Sequence, residues 1–205
     1  MNYEMLASDD SIAKTIKGLA ERNVEAEVLE GGAKALERIQ SLIPKGASVM
    51  NGSSRTLEQI GYIDYLKSGK HGWDNLHEAI VAESDKAKQS KLRKQAALSD
   101  YYLGSIHGLA ETGEFIVASN SGSQLPHIVF TSPNVIFVVS TKKIVPTLAD
   151  AMQRLETHVV PLEDQNMMTK YNIHTYLSKI VIFRREFQMS ARKIRMLLVK
   201  ENLGF

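Results

Sequence analysis

Apolar positions in the N-terminal part of the chain follow helical and strand spacings in turn. Ile12, Ile16, Leu19 and Ala20 share one helical face, and Ser8 to Ser11 ahead of them offer N-caps and early acidic charge. This predicts a helix over about 8–22, stopped at Asn23. Val24–Leu29 then alternates apolar and acidic residues up to Gly31-Gly32, the pattern of a strand and a turn. Ala35, Leu36, Ile39, Leu42 and Ile43 form a second helical stripe, closed by Pro44-Lys45-Gly46. Ala47–Met50 reads as a short strand, Asn51-Gly52-Ser53-Ser54 as a turn, and Thr56–Ile60 as the start of another helix. Alternating strands and helices predict an α/β fold with a parallel sheet.

The middle is less regular. Ile63–Trp73 carries Gly69 and Gly72 and reads as a loop or broken helix. A helix is expected from Asp74 to about Ser99. Its polar second half, Glu83–Lys94, is either a solvated face or a lid. Tyr101–Leu103 and Glu114–Ala118 read as strands, and Val135–Ser140 is a continuous apolar run of the kind buried on both faces of a sheet. Pro146 opens an expected helix that runs to about His158, with Leu148, Met152 and Leu155 inward. Met167–Ile182 fits no single pattern, and Ile194–Val199 reads as a closing strand.

With 205 residues, 43% of them hydrophobic, the chain can bury a sizeable core without staples, and it is read as one domain over 1–205. The absence of cysteine excludes thiolate zinc sites, iron–sulfur ligation and thiol catalysis within this chain. Twenty-five basic residues nearly cancel twenty-three acidic ones, so the net charge of +2 gives little support to a nucleic-acid or membrane-surface role. No apolar stretch approaches a membrane span, and the N-terminus lacks the basic and apolar regions of a signal peptide. The expected setting is cytoplasmic.

Three stretches could carry chemistry. Asn51, Gly52, Ser53, Ser54 and Arg55 follow a short strand and open a helix, where free N–H groups, hydroxyls and a guanidinium could receive an anion; Ser54 could equally be only the helix cap. Glu111, Thr112 and Gly113 form a second turn, with Gly104, His107 and Gly108 before it. Glu111 held there could act as base, nucleophile or polar anchor, or the turn residues could simply bond nearby backbone. Ser119, Asn120 and Gly122 belong to a small-polar loop after Glu114–Ala118, at the C-terminal side of that strand if the strand is parallel. His71 and His77 do not have zinc-helix spacing, no Gly-x-Ser-x-Gly elbow is present, and no metal site is expected. The basic residues Arg184, Arg185, Arg192, Lys193 and Arg195 alternate with apolar ones and read as a strand edge that resists aggregation, with RNA binding the sharper alternative.

Asn51–Gly61, then Leu109-Ala110-Glu111-Thr112-Gly113-Glu114, then Lys143-Ile144-Val145-Pro146-Thr147-Leu148-Ala149-Asp150-Ala151 together resemble the LUD domain, the lactate-utilisation domain. The similarity runs from about Ala35 to Arg154, with an echo in Lys193–Asn202. The resemblance implies a three-layer, Rossmann-like α/β fold with a parallel-rich sheet, of the NagB/RpiA/CoA-transferase type. It implies an anion pocket at Gly52, Ser53 and Ser54, with Glu111, Thr112 and Gly113 as the opposite wall. His107 is an unusual guest in the small-residue approach to that turn, and no CoA-transferase, sugar-isomerase or cyclo-ligase signature is evident. The implied role is in lactate or related organic-acid use, with a small anionic ligand and with iron–sulfur centres held by partner subunits. The alternative is a stand-alone transferase or ligase acting on a CoA ester, nucleotide or sugar phosphate with Glu111 as its carboxylate. The residues name no cofactor and leave the oligomeric state open, a homodimer included.

Overall fold

The computed structural model describes residues 2–205. In chain order the helices are α1 (Asp9–Glu21), α2 (Gly32–Leu42), α3 (Arg55–Gln59), α4 (Tyr62–Lys67), α5 (Leu76–Ala82), α6 (Lys86–Gln95), α7 (Leu148–Arg154) and α8 (Val160–Tyr171). The strands are β1 (Glu25–Leu29), β2 (Ser48–Asn51), β3 (Asp74–Asn75), β4 (Tyr101–Gly104), β5 (Gly108–Ala110), β6 (Phe115–Ser119), β7 (Asn134–Ser140), β8 (Ile144–Val145), β9 (Lys179–Phe183) and β10 (Lys193–Val199). Six of them form a sheet in the order β1-β10-β7-β4-β2-β3, and every neighbouring pair in it is parallel.

The twofold period of β7 and β10 assigns the layers. Ile136, Val138, Leu197 and Val199 face α2, α3 and α4, where Ala35, Ile39, Leu57, Tyr62 and Leu66 meet them. Val135, Phe137, Val139, Met196 and Leu198 point the other way, onto Leu19 of α1 and onto Leu109, Phe115 and Val117. Both faces of the central strands are therefore dry, which is why they read as continuous apolar runs. The parallel sheet between two covering layers is the Rossmann-like three-layer α/β arrangement that the resemblance implies. The covering layer beside α1 is itself partly a sheet, of order β8-β5-β6-β9. Its outer face is closed by Ala151, Leu155 and Val159.

This second sheet changes one expectation. β6 is antiparallel to both β5 and β9, so the loop after it does not follow a parallel strand. The helix expected from Asp74 to about Ser99 is instead β3, α5 and α6, broken where Glu83 takes an extended conformation and Asp85 caps α6 through the Ala87 and Lys88 N–H groups. No α6 residue is buried, so the polar segment is a solvated face. The helix expected to end near His158 begins at Leu148 behind a Thr147–Asp150 capping box and continues to Tyr171. It passes a wider turn at Leu155–Val159, where the Val160 N–H bonds the Leu155 carbonyl. Pro161 lies just beyond and has no N–H to keep the ordinary ladder. Among the described residues no helix is long and apolar enough to cross a membrane.

Candidate functional site

A cavity of about 460 Å³ opens where the parallel strands end. Its lining follows from the topology. Gly52–Thr56 come directly after β2, Gly104–His107 end and follow β4, Lys143 lies just past β7, and Gly204 and Phe205 lie beyond β10. Parallel strands deliver their C-terminal loops to one side, and that crevice is where open α/β sheets hold ligands. The far wall comes from the end of β6, with Ala118, Ser119, Asn120 and Gln124, and from α8, with Glu163 and Lys170.

Of the residues expected at the site, Gly52, Ser53, Ser54, Arg55, Ser119 and Asn120 line this cavity. The first turn and the third loop meet through Tyr102, a fully buried ring whose hydroxyl donates to Gln124 Oε1 (3.1 Å), while Gln124 Nε2 donates to the Ala118 carbonyl (3.0 Å). A Cβ on Gly52 would fall 2.6 Å from that tyrosine oxygen, so the turn requires glycine there. Ser54 accepts the Leu57 N–H (3.3 Å) and caps α3. Because α3 has only five residues, few peptide dipoles align behind that cap, and the helix start is a weak source of positive charge. Asn51 and Gly122 are not among the lining residues. Asn51 is buried one step behind, with Nδ2 on the Gly52 carbonyl and Oδ1 without a partner. Gly122, at φ +84°, packs beneath the Lys179 side chain.

Glu111, Thr112 and Gly113 do not form the opposite wall. His107, just before β5, and Ala118, near the end of β6, both touch the cavity, so the antiparallel β5–β6 hairpin has its open end there and its tip at the far end. The tip holds all three residues, and it is packed on α1. A Cβ on Gly18 would lie 2.5 Å from the Thr112 carbonyl carbon, and one on Gly113 would run into the Gly18 backbone. The Glu111 N–H bonds the Val145 carbonyl (2.8 Å), Thr112 Oγ1 donates to Glu114, and Glu114 pairs with Arg22 at the end of α1. Glu111 itself faces Lys14 of α1, whose ammonium it helps to hold protonated after Asp10.

Apart from Arg55, the charge at the cavity comes from residues that the pattern did not single out. Lys143 is 4% exposed, and its Nζ lies 3.0 Å from the Ile106 carbonyl, 3.1 Å from Ser105 Oγ and 3.4 Å from Thr56 Oγ1. Burial holds its pKa well below the ordinary lysine value, and the charges bearing on it, Arg154 and Lys142, are both positive. Arg154 is fully buried; Nη1 donates to the His107 carbonyl (2.6 Å), and Nε and Nη2 have no hydrogen-bond partner among the described residues. Burial also lowers its pKa to about 10. His107 accepts the Ala118 N–H on Nδ1 (3.0 Å), which leaves its proton on Nε2. Burial, with Lys143 and Arg154 nearby, pushes its pKa down to about 3. Opposite, desolvation raises the Glu163 carboxyl above its usual range, while Glu58 pairs with Lys170 (3.2 Å). Lys143 stands in the Lys-Ile-Val-Pro-Thr stretch, but nothing in the adjacent Lys142-Lys143 pair signals that both would be buried.

The six-stranded parallel sheet between two covering layers, with a cavity at its strand ends, defines an α/β protein of the Rossmann-like three-layer class. The profile of the LUD domain matches residues 12–190, and the chain belongs to that family. No curated protein matches the chain. Among solved structures, a DUF162 family protein from Deinococcus radiodurans is similar in fold, with a TM-score of 0.57 over 95% of this chain and 99% of that one, at 10% identity.

Proposed function

We propose that this LUD-domain chain binds a small anionic metabolite in the cavity, in the service of lactate or related organic-acid use. The observation that carries the reading is the Lys143 amine, which reaches the cavity from among cations, with Lys142 and Arg154 bearing on it from behind. Lys142 is paired with Glu4 (3.0 Å), whereas Lys143 and Arg154 bond neutral acceptors; such buried basic groups raise the potential of the space they face, and an anion entering it relieves their repulsion. Ser53, Ser54 and Arg55 across the mouth supply further donors. Redox chemistry on the ligand would belong to partner subunits holding iron–sulfur centres, because this chain has no cysteine to hold one.

Thermal unfolding with lactate, oxalate and inorganic phosphate tests the binding. An anion at 100 times its dissociation constant stabilises the fold by about 2.7 kcal/mol. Lys143→Met removes about half of that stabilisation. If none of the three anions raises the melting temperature, the reading fails. Affinity capture of an iron–sulfur subunit tests the metabolic setting, and its absence, together with normal growth on lactate after deletion, would remove that part alone.

A further inference from the structure

The hydrogen bonds around Lys143 leave one position on its nitrogen uncommitted. Ser105 Oγ donates its own proton to the Val138 carbonyl (2.6 Å), so toward Lys143 it can only accept. The Ile106 carbonyl is likewise an acceptor. These two groups take two N–H bonds from Nζ. The third neighbour, Thr56 Oγ1, is longer at 3.4 Å and turns its own proton to Ser105 Oγ. A neutral amine therefore satisfies the two close acceptors and keeps its lone pair for the cavity. An ammonium would be a third cation beside Arg154 and Lys142. Buried amines in such surroundings are the ones that add to carbonyl groups.

We propose that Lys143 captures the carbonyl group of a small 2-oxo acid as an imine, with the carboxylate of the same ligand held by Arg55 and the hydroxyls of Ser53 and Ser54 in the lining. The inference rests on the anion-binding reading above and names its ligand class. The Nζ lone pair forms a C–N bond to the carbonyl carbon, and the π electrons move to oxygen, which takes a proton. The nitrogen gives up a proton, and the carbinolamine then loses its hydroxyl, with one further proton from solvent, as water. The product is a protonated imine, with no oxidant or reductant consumed. His107 lines the same cavity and carries its proton on Nε2, which suits it to donate a hydrogen bond to the ligand rather than to compete as a base.

The test is reductive trapping. The purified chain is incubated at neutral pH with glyoxylate or pyruvate and borohydride, then digested and mapped by mass spectrometry. The expected result is one reduced adduct on Lys143, exceeding any exposed lysine by about tenfold or more, since each unit by which an amine's pKa falls raises its neutral fraction tenfold. Saturating oxalate, which has no ketone or aldehyde, suppresses it. Lys143→Arg keeps a long hydrogen-bonding side chain but has no nucleophilic amine and abolishes the adduct, and mapping on the unsubstituted chain does not depend on how that variant folds. Labelling spread over surface lysines, or concentrated on Lys142, overturns the inference. Oxalate that stabilises the fold while pyruvate leaves no adduct on Lys143 also overturns it and leaves the anion reading standing; no stabilisation by any anion ends both.

Discussion

The turn after β2 and the turn after β5 are made of the same materials. Each follows a short apolar strand, and each joins a glycine to hydroxyl residues and a charged side chain: Asn51-Gly52-Ser53-Ser54-Arg55 in one, Glu111-Thr112-Gly113-Glu114 in the other. Their fates differ. The first opens onto the cavity, and the second is a hairpin tip stapled to α1 through Gly18 and Arg22. Strand direction decides this. β2 is parallel to β4, so its C-terminal turn joins those of the other parallel strands, whereas β5 turns back antiparallel into β6 and carries its tip away from them. A glycine-rich turn is therefore a binding element only in the context of the sheet it leaves.

Substitutions can pull the two turns apart. The largest effect is expected at the stapled one. Gly113→Ala places a Cβ on a residue at φ +92° and drives it into the Gly18 backbone, so roughly 3 to 4 kcal/mol of stability should be lost in urea unfolding. A small loss would mean that α1 and the hairpin tip are not in contact.

Acid should act on the other region. His107 is held neutral, with its pKa lowered from 6.5 to about 3, and burial lowers that of His127 from 6.5 to about 4. Between those values and 6.5 the unfolded chain binds more protons than the folded one, so stability is full above pH 6.5 and falls as the pH drops toward 4. The loss by pH 4 should be on the order of 3 kcal/mol for His107. Comparing denaturant midpoints of the parent and His107→Gln across this range checks it, and equal slopes would contradict the assigned burial.

At the cavity, Lys143→Met should weaken anion binding by about tenfold, or about 1.4 kcal/mol, as read by calorimetry. The matching change at the other turn, Glu111→Gln, should leave that affinity unaltered and shift stability by no more than about 0.5 kcal/mol. If Glu111→Gln abolished binding while Lys143→Met did not, the contrast between the turns would be reversed.

Local signals and tertiary ones separate along the same line. Ser8 as the cap of α1, Asn23 at φ +60° as its stop, and Ser54 as the cap of α3 were legible because capping is a contact between residues a few positions apart. The run in β7 was legible as a strand buried on both faces because its residues alternate between two dry layers. The division of 74–99 was not legible, since its breaks depend on β3 joining β2 and on Asp85 capping α6.

The order of apolar and polar residues determined the parallel α/β core and marked the Gly52–Arg55 turn as a place where a ligand could come close to the backbone. Only the tertiary structure decided that β5 and β6 leave that core as an antiparallel hairpin, which removes Glu111 from the site, and that Lys143 is buried beside Arg154 and Lys142. The physical reason is range. Periodicity and capping act within a few residues, whereas the charge of a cavity is summed over side chains such as Thr56, Ser105, Lys143 and Arg154, which lie far apart in the chain and meet only when the strands stand side by side.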